Sequence, residues 1–111
     1  MRPGRPTVGE RGRRFTLEVP LDTPDGFGGA VRTFQPGPRL WGSLEPVSQA
    51  ERLRAGRPEA VGSHRVRFPY RDGVAGGMRL ALGARRFRIR AASDPDGTRR
   101  ELVCLVEETG P

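Results

Sequence analysis

Apolar and polar residues alternate with a period of two along most of this chain. Phe15, Leu17, Val19 and Leu21 alternate with Thr16, Glu18 and Pro20, the pattern of a half-buried strand. Asp22 to Gly29, DTPDGFGG, is dense in turn residues and predicts a loop. A second apolar run, Ala30 to Phe34, is broken by Gln35-Pro36-Gly37-Pro38 and resumes at Leu40, Trp41 and Leu44, which predicts a strand, a kink or bulge, and a second strand piece. His64, Val66, Phe68 and Tyr70 then face one way and Arg65, Arg67 and Arg71 the other. Pro69 would interrupt a ladder hydrogen bond there unless its strand is an edge. Met78, Leu80 and Leu82 alternate with Arg79 and Ala81, Gly83-Ala84 suits a tight hairpin, and Phe87, Ile89 and Ala91 alternate with Arg86, Arg88 and Arg90. Asp94-Pro95-Asp96-Gly97 presets a turn, and the continuous apolar run Leu102 to Val106, LVCLV, suits a strand covered on both faces.

The expected fold is therefore all-β: a small β-barrel or sandwich of about six short strands with one long loop or short helix. The helical exception is Ser48-Gln49-Ala50-Glu51, a capping box that would start one or two turns through Ala55, with Gly56-Arg57-Pro58 ending them. The expected interior is Phe15, Leu17, Val19, Trp41, Leu44, Val66, Phe68, Leu80, Phe87, Ile89, Leu102 and Cys104. Residues 1–14 hold almost nothing apolar and are expected to be a flexible basic arm; 15–108 form the single domain and 109–111 the tail end.

Composition narrows the chemistry. With 111 residues, 34% of them hydrophobic, and 16 Gly and 11 Pro, the chain has room for one thin core. One cysteine, Cys104, allows no internal disulfide, and with His64 alone it makes no zinc site. No cofactor or metal is expected. No apolar run is long enough to span a bilayer, so no membrane partner is expected. His64 lies on an apolar strand face and no GxSxG or Cys-His signature appears, Asp94 and Asp96 are turn residues, and Glu107 and Glu108 are a solvated strand end, so no catalytic constellation is assembled. The glycine-rich loops lack the context that phosphate loops require.

The net charge of +7 is uneven: residues 1–14 carry +4, 15–64 carry −1, 65–90 carry +7 and 91–111 carry −3. All twenty basic residues are arginine, whose planar fork binds carboxylates and phosphates bidentately. A band of Arg65, Arg67, Arg86, Arg88 and Arg90 is either a solvated face or a contact surface, for a nucleic-acid backbone or an acidic neighbouring subunit. Because Phe68, Tyr70 and Phe87 lie on the opposite face, the band lacks the stacking aromatics of single-strand binders. One reading of such a chain is a monomeric nucleic-acid-binding β-barrel.

The succession RRFTLEVP, DGFGGAVRTF, LWGSLEPVSQAER, HRVRFPYRDGV and MRLALGARRFRIRAASDPDGTRRELVCLVEE, from about Arg13 to Glu108, resembles the phage head–tail joining proteins, also called head-completion, adaptor or stopper proteins, and most of all members encoded by gene transfer agents and related prophages. The resemblance implies a non-enzymatic connector: a homo-oligomeric ring of six or twelve copies below a portal or adaptor ring, with tail terminator or tail tube proteins on its other side and packaged double-stranded DNA in its channel. Its place would be the head–tail junction of a virion-like particle assembled in the bacterial cytoplasm. Family members carry a variable insertion where Ser48 to Ser63 lie, and with Gly56, Pro58 and Gly62 in it this segment is expected to be a channel-facing loop presenting Arg52, Arg54 and Arg57 to DNA. The arginine band would contact neighbouring subunits, with Asp22, Asp25, Glu107 and Glu108 as the acids it meets in the next copy.

Overall fold

The computed structural model describes residues 12–48 and 63–109. Six strands make one antiparallel sheet: β1 (Arg13–Pro24), β2 (Ala30–Pro46), β3 (Ser63–Pro69), β4 (Arg79–Leu82), β5 (Arg85–Ser93) and β6 (Glu101–Thr109). Their order is β1-β2-β3-β6-β5-β4, and the sheet closes because β1 pairs with β4 as well as with β2. Among the described residues there is no helix. The capping box and the segment that follows it lie almost wholly outside the described residues, as do Met1 to Arg11 of the arm. Arg13 and Arg14, read as part of that arm, are the first residues of β1.

The interior is one cluster to which every strand contributes: Phe15 and Leu17, Leu40, Val66 and Phe68, Leu80, Phe87 and Ile89, then Leu102, Cys104 and Val106. Leu44 is half-buried against it. Two residues expected inside are not there. Trp41 is 56% exposed, because β1 pairs Phe15 with Leu40, and alternation then turns the neighbouring Trp41 outward under the Arg14 guanidinium, 5.5 Å from the ring centroid. Val19 continues the inward face of β1 but lies past the last pairing with β4, at Glu18. The expectation for LVCLV also changes. Leu102, Cys104 and Val106 face the core while Leu105 is 41% exposed, so this strand is covered on one face only.

Some breaks in the sheet sit where the sequence places them, but a second register slip, between Ile89 and Ala91, does not: it turns Ala91 out to pair with Leu105 instead of continuing the Phe87–Ile89 face, and β1 runs on through Asp22 to Pro24 where a loop was expected. The register of β1 against β2 slips between Thr16 and Glu18, so Gly37-Pro38 bulges opposite Leu17 and β2 runs on as one strand. Gly83-Ala84 is the two-residue β4–β5 turn, with Gly83 at φ +58°. Pro69 ends β3, where β6 still pairs with it and the pairing with β2 has stopped at Arg67. The connection from β3 to β4 crosses the barrel end, and Tyr70, Val74 and Met78 pack on the core from there. Asp94 and Gly97 close the β5–β6 turn with a hydrogen bond of 3.3 Å.

At Gly42 the backbone of β3 leaves no room for a side chain. A Cβ on it would stand 2.5 Å from the Arg67 carbonyl oxygen and 3.3 Å from the Phe68 Cβ. Gly42→Ala should therefore force the two strands apart and cost about 1–3 kcal/mol, and Phe87→Ala about 3–5 kcal/mol through the cavity it leaves. Urea unfolding followed by circular dichroism measures both. A Gly42→Ala midpoint equal to wild type would show that the strands separate freely.

Candidate functional site

The outer wall of the barrel carries the charge. β3 and β5 do lie in one sheet, but β6 runs between them and adds carboxylates to the arginine band. Arg67 donates to Glu45 on β2 at 3.0 Å and to Glu101 on β6 at 3.2 Å, and Arg65 stands 3.7 Å from Glu45. Arg90 lies 3.7 Å from Glu107. Arg86 donates to the Gly83 carbonyl at 2.7 Å, bracing its own hairpin, and approaches Glu18 at 3.7 Å. Arg88 forms no ion pair among the described residues and faces Arg79 across the β4–β5 ladder. Arg52, Arg54 and Arg57 lie outside the described residues.

The acids expected to meet a neighbouring copy are engaged within the chain. Asp22 takes both a 2.7 Å and a 3.0 Å bond from Arg32, which holds its carboxyl below the usual range and raises the guanidinium. Asp25 Oδ1 accepts from the Phe27 and Gly29 amides at 2.7 and 3.1 Å. Glu107 and Glu108, expected to act together, point to opposite faces by strand alternation. Glu107 belongs to the wall. Glu108 closes the barrel rim, receiving a bidentate fork from Arg85 at 2.8 and 3.0 Å, while Arg85 lies 5.0 Å from the Phe87 ring centroid. His64 meets the same ring edge-on at 5.5 Å. The fork from Arg85 lowers the Glu108 pKa. Cys104 is inert in comparison, its thiol pushed up to about 12 by burial.

Arg79 is the structural key that sequence reasoning missed. Its Nε donates to Glu18 Oε1 at 2.6 Å while its guanidinium lies 3.9 Å from the Phe34 ring centroid, so one side chain ties β4 to both strands of the β1–β2 hairpin. Glu18 is 61 residues away in sequence, and no local spacing signals the pair.

The hairpin itself is the other feature the sequence understated. Beyond Glu18, β1 and β2 pair only with each other, as far as Pro24 and Ala30, a ribbon about 20 Å long at strand rise. Its tip is ordered by the Asp25 carboxylate and by Gly26 and Gly28 at φ +84° and +83°, and it presents Phe27 94% exposed.

Comparison with known proteins places this architecture. The family described as phage head completion protein matches residues 7–109. The solution structure of protein SF1141 from Shigella flexneri 2a is similar at TM-score 0.71 and 27% identity, covering 88% of this chain and 92% of that one. A chain in the virion of a native gene transfer agent particle shares the fold at TM-score 0.64 and 20% identity, with 88% and 94% covered. No curated protein matches the chain.

Arg79→Ala should take from the mostly buried Glu18 carboxylate its 2.6 Å hydrogen bond and leave only Arg86, 3.7 Å away, beside it, costing about 1–3 kcal/mol, and amide exchange should accelerate across residues 19–35 before it does in β5 and β6. Uniform exchange would show that the ribbon holds without this tie. The rim pair has a pH signature. Because the folded-state pKa of Glu108 is lowered, its contribution is complete above the ordinary carboxylate range and is lost as pH falls through the folded value. Thermal melts between about pH 6 and about pH 3 should show a smaller acid loss for Glu108→Gln than for the parent; parallel curves would mean the pair is energetically silent.

Proposed function

The chain belongs to the phage head completion protein family, and from that premise we propose that it is a structural head–tail connector of a tailed phage-like particle or gene transfer agent. In this reading it forms a ring below the portal or adaptor, retains packaged DNA and offers the tail its attachment platform. The observation that carries the proposal is the family match across residues 7–109, nearly the whole chain. The head-completion role, association with other particle proteins and a place in the virion follow at the level of the family; the ring, its neighbours and the DNA contact are the proposal.

Geometry supports a connector over a free nucleic-acid-binding barrel. A phosphate-binding groove needs arginines that are available, since affinity there comes from neutralising backbone charge. Here Arg65, Arg67, Arg86 and Arg90 already stand beside Glu45, Glu101, Glu18 and Glu107. Such a wall of interleaved charge suits a protein neighbour, where exchange of partners fixes orientation more than it adds affinity. Contact with DNA is assigned to the segment from Ser48 to Ser63, with Arg52, Arg54 and Arg57. It is anchored where Val47 N donates to the Ser63 carbonyl at 3.0 Å.

Loss of the gene should leave heads that lack tails or lose their DNA, scored by electron microscopy and by nuclease-protected DNA. Deleting Gly56 to Ala60 should preserve tail attachment but lower DNA retention. Normal tailed, DNA-filled particles from the null strain would overturn the proposal, and wild-type retention in the deletion would remove the gating role from this segment.

A further inference from the structure

One square of the outer wall carries charge that the fold leaves unmatched. Arg14 on β1 pairs with Trp41 on β2, and Thr16 pairs with Arg39, so four side chains face outward together from adjacent strands. Trp41 is 56% exposed, and the Arg14 guanidinium lies over its ring. Neither Arg14 nor Arg39 has an ion pair among the described residues. The nearest carboxylates along the two strands are already shared. Glu18 has Arg79 at 2.6 Å and Arg86 at 3.7 Å, and Glu45 has Arg67 at 3.0 Å and Arg65 at 3.7 Å. The rest of the wall alternates in sign; this square is positive throughout and has an aromatic ring in it, the pairing of residue types that anchors protein interfaces.

We propose that this square is the docking site for an acidic, extended segment of a different protein of the particle, whose carboxylates take the forks of Arg14 and Arg39 while an apolar side chain of the same segment covers the Trp41 indole. Arg14 and Arg39 stand diagonally across the strand pair, a separation of about 7–8 Å between side-chain origins. Two carboxylates at alternate positions of an extended segment lie about 6.6 Å apart on one face, which matches it. Stacking on the indole holds the Arg14 fork before docking, so little side-chain entropy is lost. A second copy of this chain is a poor occupant. Its described glutamates and Asp22 each stand beside an arginine of their own, and residues 1–11 and 49–62 each hold three arginines, against one and two glutamates. DNA fits less well than an acidic protein: a duplex backbone gives the indole no apolar contact, and one ring is not the row of stacking platforms that a single strand uses.

The source of the partner rests on the connector reading, so the test keeps the two apart. In a particle-forming strain Trp41 is replaced by the photoreactive p-benzoyl-phenylalanine, purified particles are irradiated, and linked peptides are mapped by mass spectrometry. Thr16, on the same square, carries the photoreactive group if the first variant melts below wild type. The expected link is to one net-negative segment of another particle protein. Adding Arg14→Gln and Arg39→Gln should lower the link, or the incorporation of the folded chain, at least about tenfold, the loss expected when two charge-assisted contacts go. Arg88→Gln with Arg90→Gln removes the same charge from β5, the strand opposite β2 in the closed sheet, and should leave the link within about twofold. A link to a second copy, to DNA or to a segment without net negative charge overturns the docking site. Equal losses for the two arginine pairs, or no link from particles that contain the chain, overturn it as well. All these results leave the head-completion role. Particles from which the wild-type chain is absent overturn the connector reading, and the particle contact with it.

Discussion

Closure of the sheet through β1 is the constraint on which the other features depend. Over Thr16 to Glu18 this strand pairs with β4, and in doing so it shields Phe15 and Leu17 and gives the short β4 its second neighbour. With so little apolar material in the chain, closure also removes the open edges that a six-stranded sheet would expose. The cost is geometric: β1 serves two partners for only a few residues, then leaves the barrel with β2. The bulge at Gly37-Pro38 takes up the mismatch at that exit.

Arginine chemistry holds the exit in place. Arg79 meets a carboxylate with its nitrogen edge and an aromatic ring with its plane, two contacts that a lysine ammonium does not make together. At the far rim Arg85 does the same with Glu108 and Phe87. Exposed ion pairs contribute only about 0–1 kcal/mol each, so the outer wall owes its order to networks such as Glu45–Arg67–Glu101 more than to any single bridge. The arginine excess that suggests a polyanion in the sequence is thus largely engaged within the fold.

Much of this was legible because strand alternation is a local signal. The strands, the bulge at Gln35-Pro36-Gly37-Pro38, the Gly83-Ala84 turn and most of the interior follow from it. Alternation reports which face a residue takes, however, and is silent on whether that face is covered. Val19 and Leu105 show the difference: each sits in a strand pattern that promises burial, and each is exposed because coverage depends on strands distant in sequence. Trp41 is a choice between adjacent apolar residues that only the pairing of Phe15 with Leu40 decides. The ion-pair partners were illegible for the same reason, since Glu45 and Arg67, or Glu18 and Arg79, meet only after the sheet closes.

The two ends of the barrel are chemically unlike. The β1–β2 ribbon leaves beside Arg79 and the connection that crosses from β3 to β4, presenting apolar residues on an ordered hairpin. At the other end His64 pairs with Pro46, Arg85 and Glu108 close the rim, and the Ser48 to Ser63 segment begins and ends. A symmetric barrel would present the same chemistry above and below, and its orientation in a stack of rings would be set only by its neighbours. This chain carries its polarity in its own register. On the connector reading, two chemically unlike ends give the chain one way up in a stack before any neighbour is met, because the apolar ribbon and the Arg85–Glu108 rim cannot exchange places.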